Sequence, residues 1–397
     1  MYPISLVSLG IATDLAGAWV LIALILAAAI ALCNGLSSAQ LAASHPVSGG
    51  TYEYGYHYLS PPFGFTAGWM FLVAKSASAA TAALGSVAYL YQWLGLEDSS
   101  GRWQVMAALG LLAVLTGVVL LGIRRSTQVN LGILLVTFTS LLLFVGIGHL
   151  QQRGGSPWLA TSQPLSLKHL LQATALLFVA YAGYARIAVL AEEVKTPRQT
   201  IPRAIVLTIV IALLLYLSVA WVVLGSHHSG NLTTAASLAV VASRFGVPWL
   251  PPLMALGAIA ALVGILLNLL LGLSRVVLAM ARRRDLPPTL AQIPPQGKQP
   301  VAAILAVSGG IALLILLGNV QTTWSFSAFS VLIYYAITNL AALQLQEPQF
   351  PRWLAVAGLI GCLGLAFWVE VQVWVSGCGL LLLGLAWHYW MRRAKAL

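Results

Sequence analysis

The sequence predicts an all-α polytopic membrane protein with about twelve transmembrane helices. Of its 397 residues, 60% are hydrophobic and only 7% are charged, whereas soluble domains carry about 25% charged residues. A helix needs about 20 mainly apolar residues to cross the hydrocarbon core of a bilayer, and such stretches recur along the whole chain. Composition and spacing together exclude a large soluble domain.

Eleven full-length apolar stretches follow a short first one, and they are numbered here as helices 1 to 12. The first segment, from Tyr2 to Thr13, is too short to span a membrane. The full-length stretches are Trp19–Ala43, Phe63–Trp93, Val105–Leu121, Val129–Leu150, Leu170–Ala191, Ala204–Leu224, Leu250–Met280, Val301–Leu317, Trp324–Leu343, Trp353–Val369 and Val371–Met391.

Lysine and arginine residues fall mainly on one side of this arrangement. If helix 1 begins in the cytoplasm, the outer segments carry Arg102, Arg153, Lys168 and Arg244. The cytoplasmic segments then carry Arg124, Arg125, Lys195, Arg198, Arg203, Arg282, Arg283, Arg284, Lys298, Arg352, Arg392, Arg393 and Lys395. Basic residues favour the cytoplasmic side, so the sequence predicts a multi-pass plasma-membrane protein with both termini in the cytoplasm. Topology also accounts for the net charge of +11 without a nucleic-acid partner.

No pattern in the sequence indicates an enzyme, a metal site or a bound cofactor. The three cysteines, Cys33, Cys362 and Cys378, lie in separate apolar stretches, which argues against a disulfide framework and a zinc site. His-Glu-x-x-His, nucleophile-elbow and phosphate-loop patterns do not occur. We therefore expect neither catalysis nor ATP binding.

Helix 6 is interrupted in its middle by small residues. Its apolar run reads Ala-Tyr-Ala-Gly-Tyr-Ala over residues 180–185 and continues with Arg186. In lipid, a weak point of this kind is tolerated where the backbone lines a protein cavity. Broken helices place free backbone groups at substrate sites near the midplane. The alternative is a kinked but continuous helix that packs through Gly183, since glycine is common in membrane helices.

Three motifs resemble those of amino acid permeases in the amino acid–polyamine–organocation superfamily. Phe-x-Ala-Tyr-x-Gly-Tyr at residues 178–184, with Glu-Glu-Val-Lys-x-Pro at 192–197, resembles helix 6 and the following loop. Pro-Val-Ser-Gly-Gly-Thr-Tyr at 46–52 resembles the loop between helices 2 and 3. Ser-Arg-Val at 274–276, with Asp-Leu-Pro at 285–287, resembles the cytoplasmic end of helix 8. The similarity covers nearly the whole chain.

The resemblance implies a secondary active transporter of amino acids that works by alternating access. Its core would be two inverted repeats of five helices, at residues 1–150 and 170–344, with helices 11 and 12 appended at 352–391. Two other functions stay open, namely a transporter of another small amine or organic ion and a transport-incompetent sensor or subunit. The expected partners are an amino acid and the lipid bilayer, and no oligomeric state is predicted.

The resemblance also implies a substrate site at breaks in helices 1 and 6. Free backbone groups there would hold the amino and carboxylate groups of the substrate, and helices 3, 8 and 10 would contact its side chain. The binding residues implied in this way are Val7, Ser8, Gly10, Phe178, Tyr181, Ala182, Gly183, Tyr184 and Asn268.

Helix 1 departs from the family pattern at its N-terminal end. The family breaks this helix with a Gly-x-Gly element whose amides hold the substrate carboxylate, and residues 1–4 stand in its place here. Either an upstream half-helix is missing from this chain start, which we favour, or the protein lacks half of its carboxylate site. We therefore expect a first helix that is truncated at its N-terminus.

Lys75, Thr137 and Ser274 are candidates for coupling transport to a proton or a sodium ion. Lys75 lies about 18 Å into helix 3 at 1.5 Å per residue, beyond the reach of a snorkelling lysine, and intramembrane charges are costly unless paired or hydrated. Many relatives carry a lysine in helix 5, where Thr137 stands here. Either Lys75 supplies that charge, or hydroxyls on helices 5 and 8, such as Thr137 and Ser274, coordinate sodium with carbonyls of helix 1.

Arg186 bears on the charge of the substrate. Many relatives carry a glutamate close to this position, so the site has lost an acid and gained a base. Like-charge repulsion disfavours a cationic substrate, which favours a neutral or acidic amino acid. The alternative is a structural salt bridge from Arg186 to Glu192 or Glu193.

Overall fold

A computed structural model shows a chain folded into α-helices. The residues that it describes are 2–47, 49–96, 101–122, 127–151, 166–184, 194, 196–225, 237–293, 299–317 and 319–396. These ranges contain no β-strand, and the predicted all-α polytopic fold is confirmed.

Twelve α-helices of fifteen residues or more make up most of the described chain. They are α1 (Tyr2–Ala16), α2 (Val20–Ser44), α3 (Pro61–Trp93), α4 (Arg102–Leu120), α5 (Thr127–Gln151), α6 (Leu167–Tyr181), α7 (Pro197–Gly225), α8 (Leu250–Arg282), α9 (Val301–Leu317), α10 (Val320–Leu343), α11 (Arg352–Ala366) and α12 (Val371–Ala396). α7 begins at Pro197, before the apolar run, because a polar first turn extends the helix and proline is favoured at its first position.

Eight helical stretches in the described ranges are long and apolar enough to cross a membrane. α1 and α2 contribute jointly to one of them, because the 3-10 turn Gly17–Trp19 joins the two helices. Gly17 has a φ of +55°, which glycine adopts without strain. α9 and α11 are apolar but shorter, and α6 stops after 15 residues. The arrangement of the helices as two inverted repeats remains a prediction.

α3 and α10 form the centre of the bundle and pack along one another. Hydroxyl groups join them at two levels, with Ser78 Oγ 2.7 Å from Ser327 Oγ and Thr81 Oγ1 donating to Thr323 Oγ1 at 2.8 Å. Such contacts satisfy polar side chains where water is absent and fix the register of the two helices. α4, α5 and α12 carry exposed large apolar side chains, as expected for helices that face lipid.

α6 lies among α1, α2 and α10, all of which pack against it. α11 packs in turn against α10 and α2. The two helices for which the sequence predicts a break, helices 1 and 6, are therefore neighbours inside the bundle.

Candidate functional site

The α-helical part of helix 6 ends within the predicted interruption. α6 runs from Leu167 to Tyr181, and Ala182–Tyr184 form a 3-10 turn. Ala182 has φ −64° and ψ 3°, so its ψ has already left the α-helical region. A departure from regular helical geometry is confirmed over these three residues, while Ala185 lies outside the described ranges.

Aromatic donors hold the carbonyl groups at this end of α6. Tyr335 donates its hydroxyl to the carbonyl of Ala182 at 3.1 Å, and Tyr216 donates to that of Ala180 at 3.3 Å. The last carbonyls of a helix lack intrahelical partners, and a buried carbonyl without a partner is costly. α10 and α7 therefore stabilise the end of α6 where it leaves the α-helix.

The aromatic side chains predicted at this site are fully buried in the observed conformation. Phe178 packs edge-on against Tyr335, with ring centroids 5.6 Å apart, and Tyr184 lies 5.5 Å from the same ring. Tyr181 donates to the carbonyl of Leu24 on α2 at 3.3 Å. These contacts are packing contacts, and the binding role implied for the three residues stays a prediction.

Gly183 is exposed, whereas Ala182 and Tyr184 on either side of it are buried. A glycine leaves its own peptide groups uncovered because it has no side chain. The turn therefore presents backbone, rather than side chain, at its accessible point.

On helix 1, Ser8 and Gly10 are buried in α1, which packs against α6. The backbone of Val7 belongs to α1, and its side chain lies outside the described part. α1, which carries Ser8 and Gly10, therefore lies directly against α6, which ends in the 3-10 turn.

Thr137 and Ser274 do not come together in one site. Each is buried and donates to its own helix, Thr137 to Ile133 at 2.8 Å and Ser274 to Leu271 at 3.0 Å. α5 meets α8 where a Cβ on Gly257 would lie 2.8 Å from Ser140 Oγ. Thr137 is one turn from this contact, whereas Ser274 lies about 25 Å along α8 from Gly257 at 1.5 Å per residue. A sodium site that uses both hydroxyls is therefore not supported.

Asn268 is half-buried on α8 and lies between Gly257 and Ser274 along the helix. Arg186, Glu192 and Glu193 lie outside the described residues.

Lys75 lies on a face of α3 that packs against another helix rather than against lipid. Phe71, Lys75 and Ser78 have the spacing of one helical face. Phe71 packs on Tyr334 of α10 with ring centroids 5.3 Å apart, and Ser78 contacts Ser327 of the same helix. The Nζ atom of Lys75 lies 5.9 Å from the Phe71 ring centroid. This location argues against simple snorkelling to the headgroups.

Two buried asparagines lie beside the turn. Asn339 on α10 donates to Asn34 Oδ1 on α2 at 2.6 Å, and Asn34 donates to Cys362 Sγ on α11 at 3.1 Å. All three residues are fully buried. We call Asn34 and Asn339 the asparagine pair. A lone asparagine within an apolar helix is itself a signal for such a contact, because polar groups in lipid seek partners.

A second polar cluster lies at the end of α8 near the loop between α2 and α3. Asp285 is buried, and its Oδ2 accepts hydrogen bonds from Tyr52 at 2.6 Å and Tyr56 at 2.7 Å. Trp387 of α12 donates to the Asp285 carbonyl at 3.0 Å, and His388 Nδ1 lies 3.7 Å from Asp285 Oδ1. These five residues are named the Asp285 cluster. They join three segments that are far apart in the sequence.

The tyrosines of the Asp285 cluster are hydrogen-bond donors over the whole physiological pH range. Burial, followed by the hydrogen bond to Asp285, raises the pKa of Tyr52 and that of Tyr56 above the ordinary value. Arg283 covers both rings, 5.5 Å and 4.1 Å from their centroids, and pairs with Glu53 at 2.7 Å. The sequence motifs at residues 46–52 and 285–287 thus meet in space.

Comparison with known proteins agrees with this architecture. A family model described as "Amino acid permease" matches residues 3–395. An uncharacterized transporter of Mycobacterium tuberculosis is 40% identical over 381 residues, which cover 95% of this chain and 84% of the relative. The branched-chain amino acid permease of Bacillus subtilis is 25% identical over 396 residues, covering 94% of this chain and 82% of the relative.

The name of a mammalian relative indicates a different class of substrate. Cationic amino acid transporter 4 of Mus musculus is 28% identical over 360 residues, which cover 86% of this chain and 56% of the relative. The match of the family model over nearly the whole chain decides the assignment. This chain belongs to the amino acid permease family.

Proposed function

We propose that this chain is a secondary active transporter that carries neutral or acidic amino acids across the plasma membrane by alternating access. Its family and its relatives are those of transporters of small molecules. The substrate class, the site and the driving ion are the parts that we add.

The end of α6 is the single observation that carries the proposal. The chain leaves α-helical bonding at Tyr181, inside the bundle and against α1. Carbonyl groups at the C-terminal end of a helix carry partial negative charge, which suits the ammonium group of an amino acid. The exposed backbone at Gly183 gives a solute access to these groups.

The carboxylate of the substrate is assigned to helix 1. The N-terminal end of a helix presents free amides and partial positive charge, which bind anions. The N-terminal end of α1 is at Tyr2, and Val7, Ser8 and Gly10 lie one to two turns further along the helix, where they would line the carboxylate site. Asn268 of α8 would contact the substrate side chain. Phe178, Tyr181 and Tyr184 would then shield the bound molecule from one side.

Coupling to a proton through Lys75 is the second part of the proposal. The face of α3 that carries Lys75 packs against α10, and α10 also holds the α6 turn through Tyr335. A change in the charge of Lys75 would therefore act on the helix that touches the site. Sodium coupling is the competing hypothesis, and it requires oxygen ligands other than Thr137 and Ser274 together.

Uptake by purified protein in proteoliposomes tests the proposed function. We expect radiolabelled L-leucine or L-glutamate to accumulate when a gradient is applied, and L-arginine to accumulate less. Separate proton and sodium gradients identify the driving ion. Arginine uptake above that of both other amino acids would contradict the substrate class. Binding without flux would instead favour a sensor, and flux of amines alone another small solute.

The role of Lys75 has a matched control on the same chain. Lys75→Met should abolish gradient-driven accumulation while leaving exchange of labelled for unlabelled amino acid intact, because exchange needs no net proton movement. Lys168→Met changes an exposed lysine at the start of α6 and should leave both activities unchanged. Retained accumulation in Lys75→Met would contradict proton coupling through this residue.

Cationic amino acids are the second candidate substrate. The name of the Mus musculus relative favours them, whereas the arginine at position 186 opposes them by like-charge repulsion. The three-substrate comparison above decides between the two.

A further inference from the structure

A chain of buried contacts leads from the α6 turn through α10 to α2 and α11. Tyr335 donates its hydroxyl to Ala182, and the carbonyl of Tyr335 accepts a bond from Asn339 Nδ2 at 3.0 Å. The asparagine pair then connects α10 to α2, and Asn34 contacts Cys362 of α11. Each link is buried.

We propose that Tyr335 is a positioning residue for the α6 turn, and that the asparagine pair fixes Tyr335 in place. The role assigned to the turn, binding of the substrate's amino group, rests on the proposed function. The positioning of the turn itself does not depend on what the turn binds.

The hydrogen bonds of Tyr335 with Ala182 and of Asn339 with Asn34 are made from one face of α10. Tyr335 and Asn339 are four residues apart and lie one above the other on the same helical face. The bond between Asn339 and Asn34 therefore sets the height and rotation of α10 against α2. The same rotation determines whether the hydroxyl of Tyr335 reaches Ala182 on α6.

The environment makes these bonds hard to replace. Ala182 is buried, and a buried backbone carbonyl that loses its partner is destabilised by the unmet hydrogen bond. Tyr335→Phe would leave the Ala182 carbonyl without this donor. The turn would then gain other conformations, and a site built from its backbone would lose affinity.

A glycine on α11 permits the close approach of the asparagine pair. A Cβ at Gly358 would lie 2.7 Å from Asn339 Oδ1 and 2.7 Å from Asn34 Oδ1. The three atoms nearest to this Cβ all belong to the asparagine pair, so an alanine at this position would push the pair apart. Gly364 lies on the same helix, and a Cβ there would meet nothing within 4 Å. The two glycines therefore provide a matched pair of substitutions.

The experiment compares Tyr335→Phe and Gly358→Ala with two control variants, Tyr89→Phe and Gly364→Ala. Tyr89 is a fully buried tyrosine of α3, outside the site. Two quantities are measured, namely KM and kcat for exchange of L-leucine and L-glutamate, and hydrogen–deuterium exchange of residues 170–184 without substrate.

We expect KM to rise about three- to tenfold in the two test variants, the effect of losing one net hydrogen bond. The value of kcat should stay within about twofold, because the lost interaction is made in the ground state. Exchange at 170–184 should become faster in the test variants and stay unchanged in the controls.

Unchanged KM together with unchanged exchange at 170–184 would overturn the positioning role. Faster exchange throughout the chain, including α8, would also overturn it, because it would show general destabilisation. If the wild-type protein transports neither amino acid, the proposed function fails, while the exchange measurement still tests the positioning of the turn. If Gly358→Ala does not fold, Tyr335→Phe alone decides.

Discussion

Replacing Asp285 with asparagine removes the charge at the centre of the Asp285 cluster while keeping its shape. Asp285 accepts bonds from Tyr52 and Tyr56 at 2.6 and 2.7 Å. A hydrogen bond to a charged group contributes about 1.5–3 kcal/mol, against about 0.5–1.5 kcal/mol for a neutral one. The two weakened bonds lose about 2–3 kcal/mol, which the lower desolvation cost of the amide partly offsets. We expect Asp285→Asn to lower the free energy of unfolding by about 1–3 kcal/mol.

A double-mutant cycle in mixed micelles, with unfolding by SDS, measures this interaction. Asp285→Asn and Tyr56→Phe should be coupled by about 1–2 kcal/mol, as contacting residues are. Tyr58→Phe is the control, since Tyr58 packs against His45 and His57 in the same loop. Equal stability of Asp285→Asn and wild type, or additive effects in the cycle, would refute the account of the Asp285 cluster.

Two further predictions concern packing and pH. Gly35→Ala places a Cβ 2.6 Å from Ile205 Cγ2 and should lower the free energy of unfolding by about 1–3 kcal/mol through overpacking. Gly272→Ala, whose Cβ would meet nothing within 4 Å, should leave it unchanged. Equal SDS unfolding curves for the two variants would contradict this prediction. Burial, and then the charge of His57, lowers the pKa of His45, whose ring stacks on His57 at 4.1 Å. His45 therefore binds a proton more readily in the unfolded chain than in the folded one. Its contribution to stability is present above about pH 6.5 and should be lost as the pH falls below that value. His45→Gln should flatten this slope in melting curves, and an unchanged slope would argue against the stacked pair as its source.

The apolar runs of the sequence were sufficient to predict the helices. Charged and turn-forming residues recur along the chain and separate apolar runs that are long enough to span lipid. Within such a run a helix satisfies the hydrogen bonds of its own backbone, so its formation depends on the local sequence. The interruption in helix 6 was predictable for the same local reason, since residues 180–185 are small or aromatic around one glycine. The end of the α-helix at Tyr181 disfavours the alternative of a continuous helix packed through Gly183.

Contacts between distant residues could not be predicted from one sequence. The asparagines of the asparagine pair are 305 residues apart, and nothing local to either indicates the partner. Tyr52 and Asp285 were each part of a recognisable motif, yet their hydrogen bond spans 233 residues. Thr137 and Ser274 show the same limit. The prediction that helices 5 and 8 are neighbours does not determine how far along each helix a side chain lies.

The measurement that tests the central claim most directly is a cryo-EM structure in lipid nanodiscs with a transported amino acid bound. We predict that the backbone at residues 182–184 is not α-helical and that the carbonyl groups at the end of α6 contact the ammonium group of the ligand. A ligand bound elsewhere, beside an α-helix that continues through residues 181–185, would contradict the account.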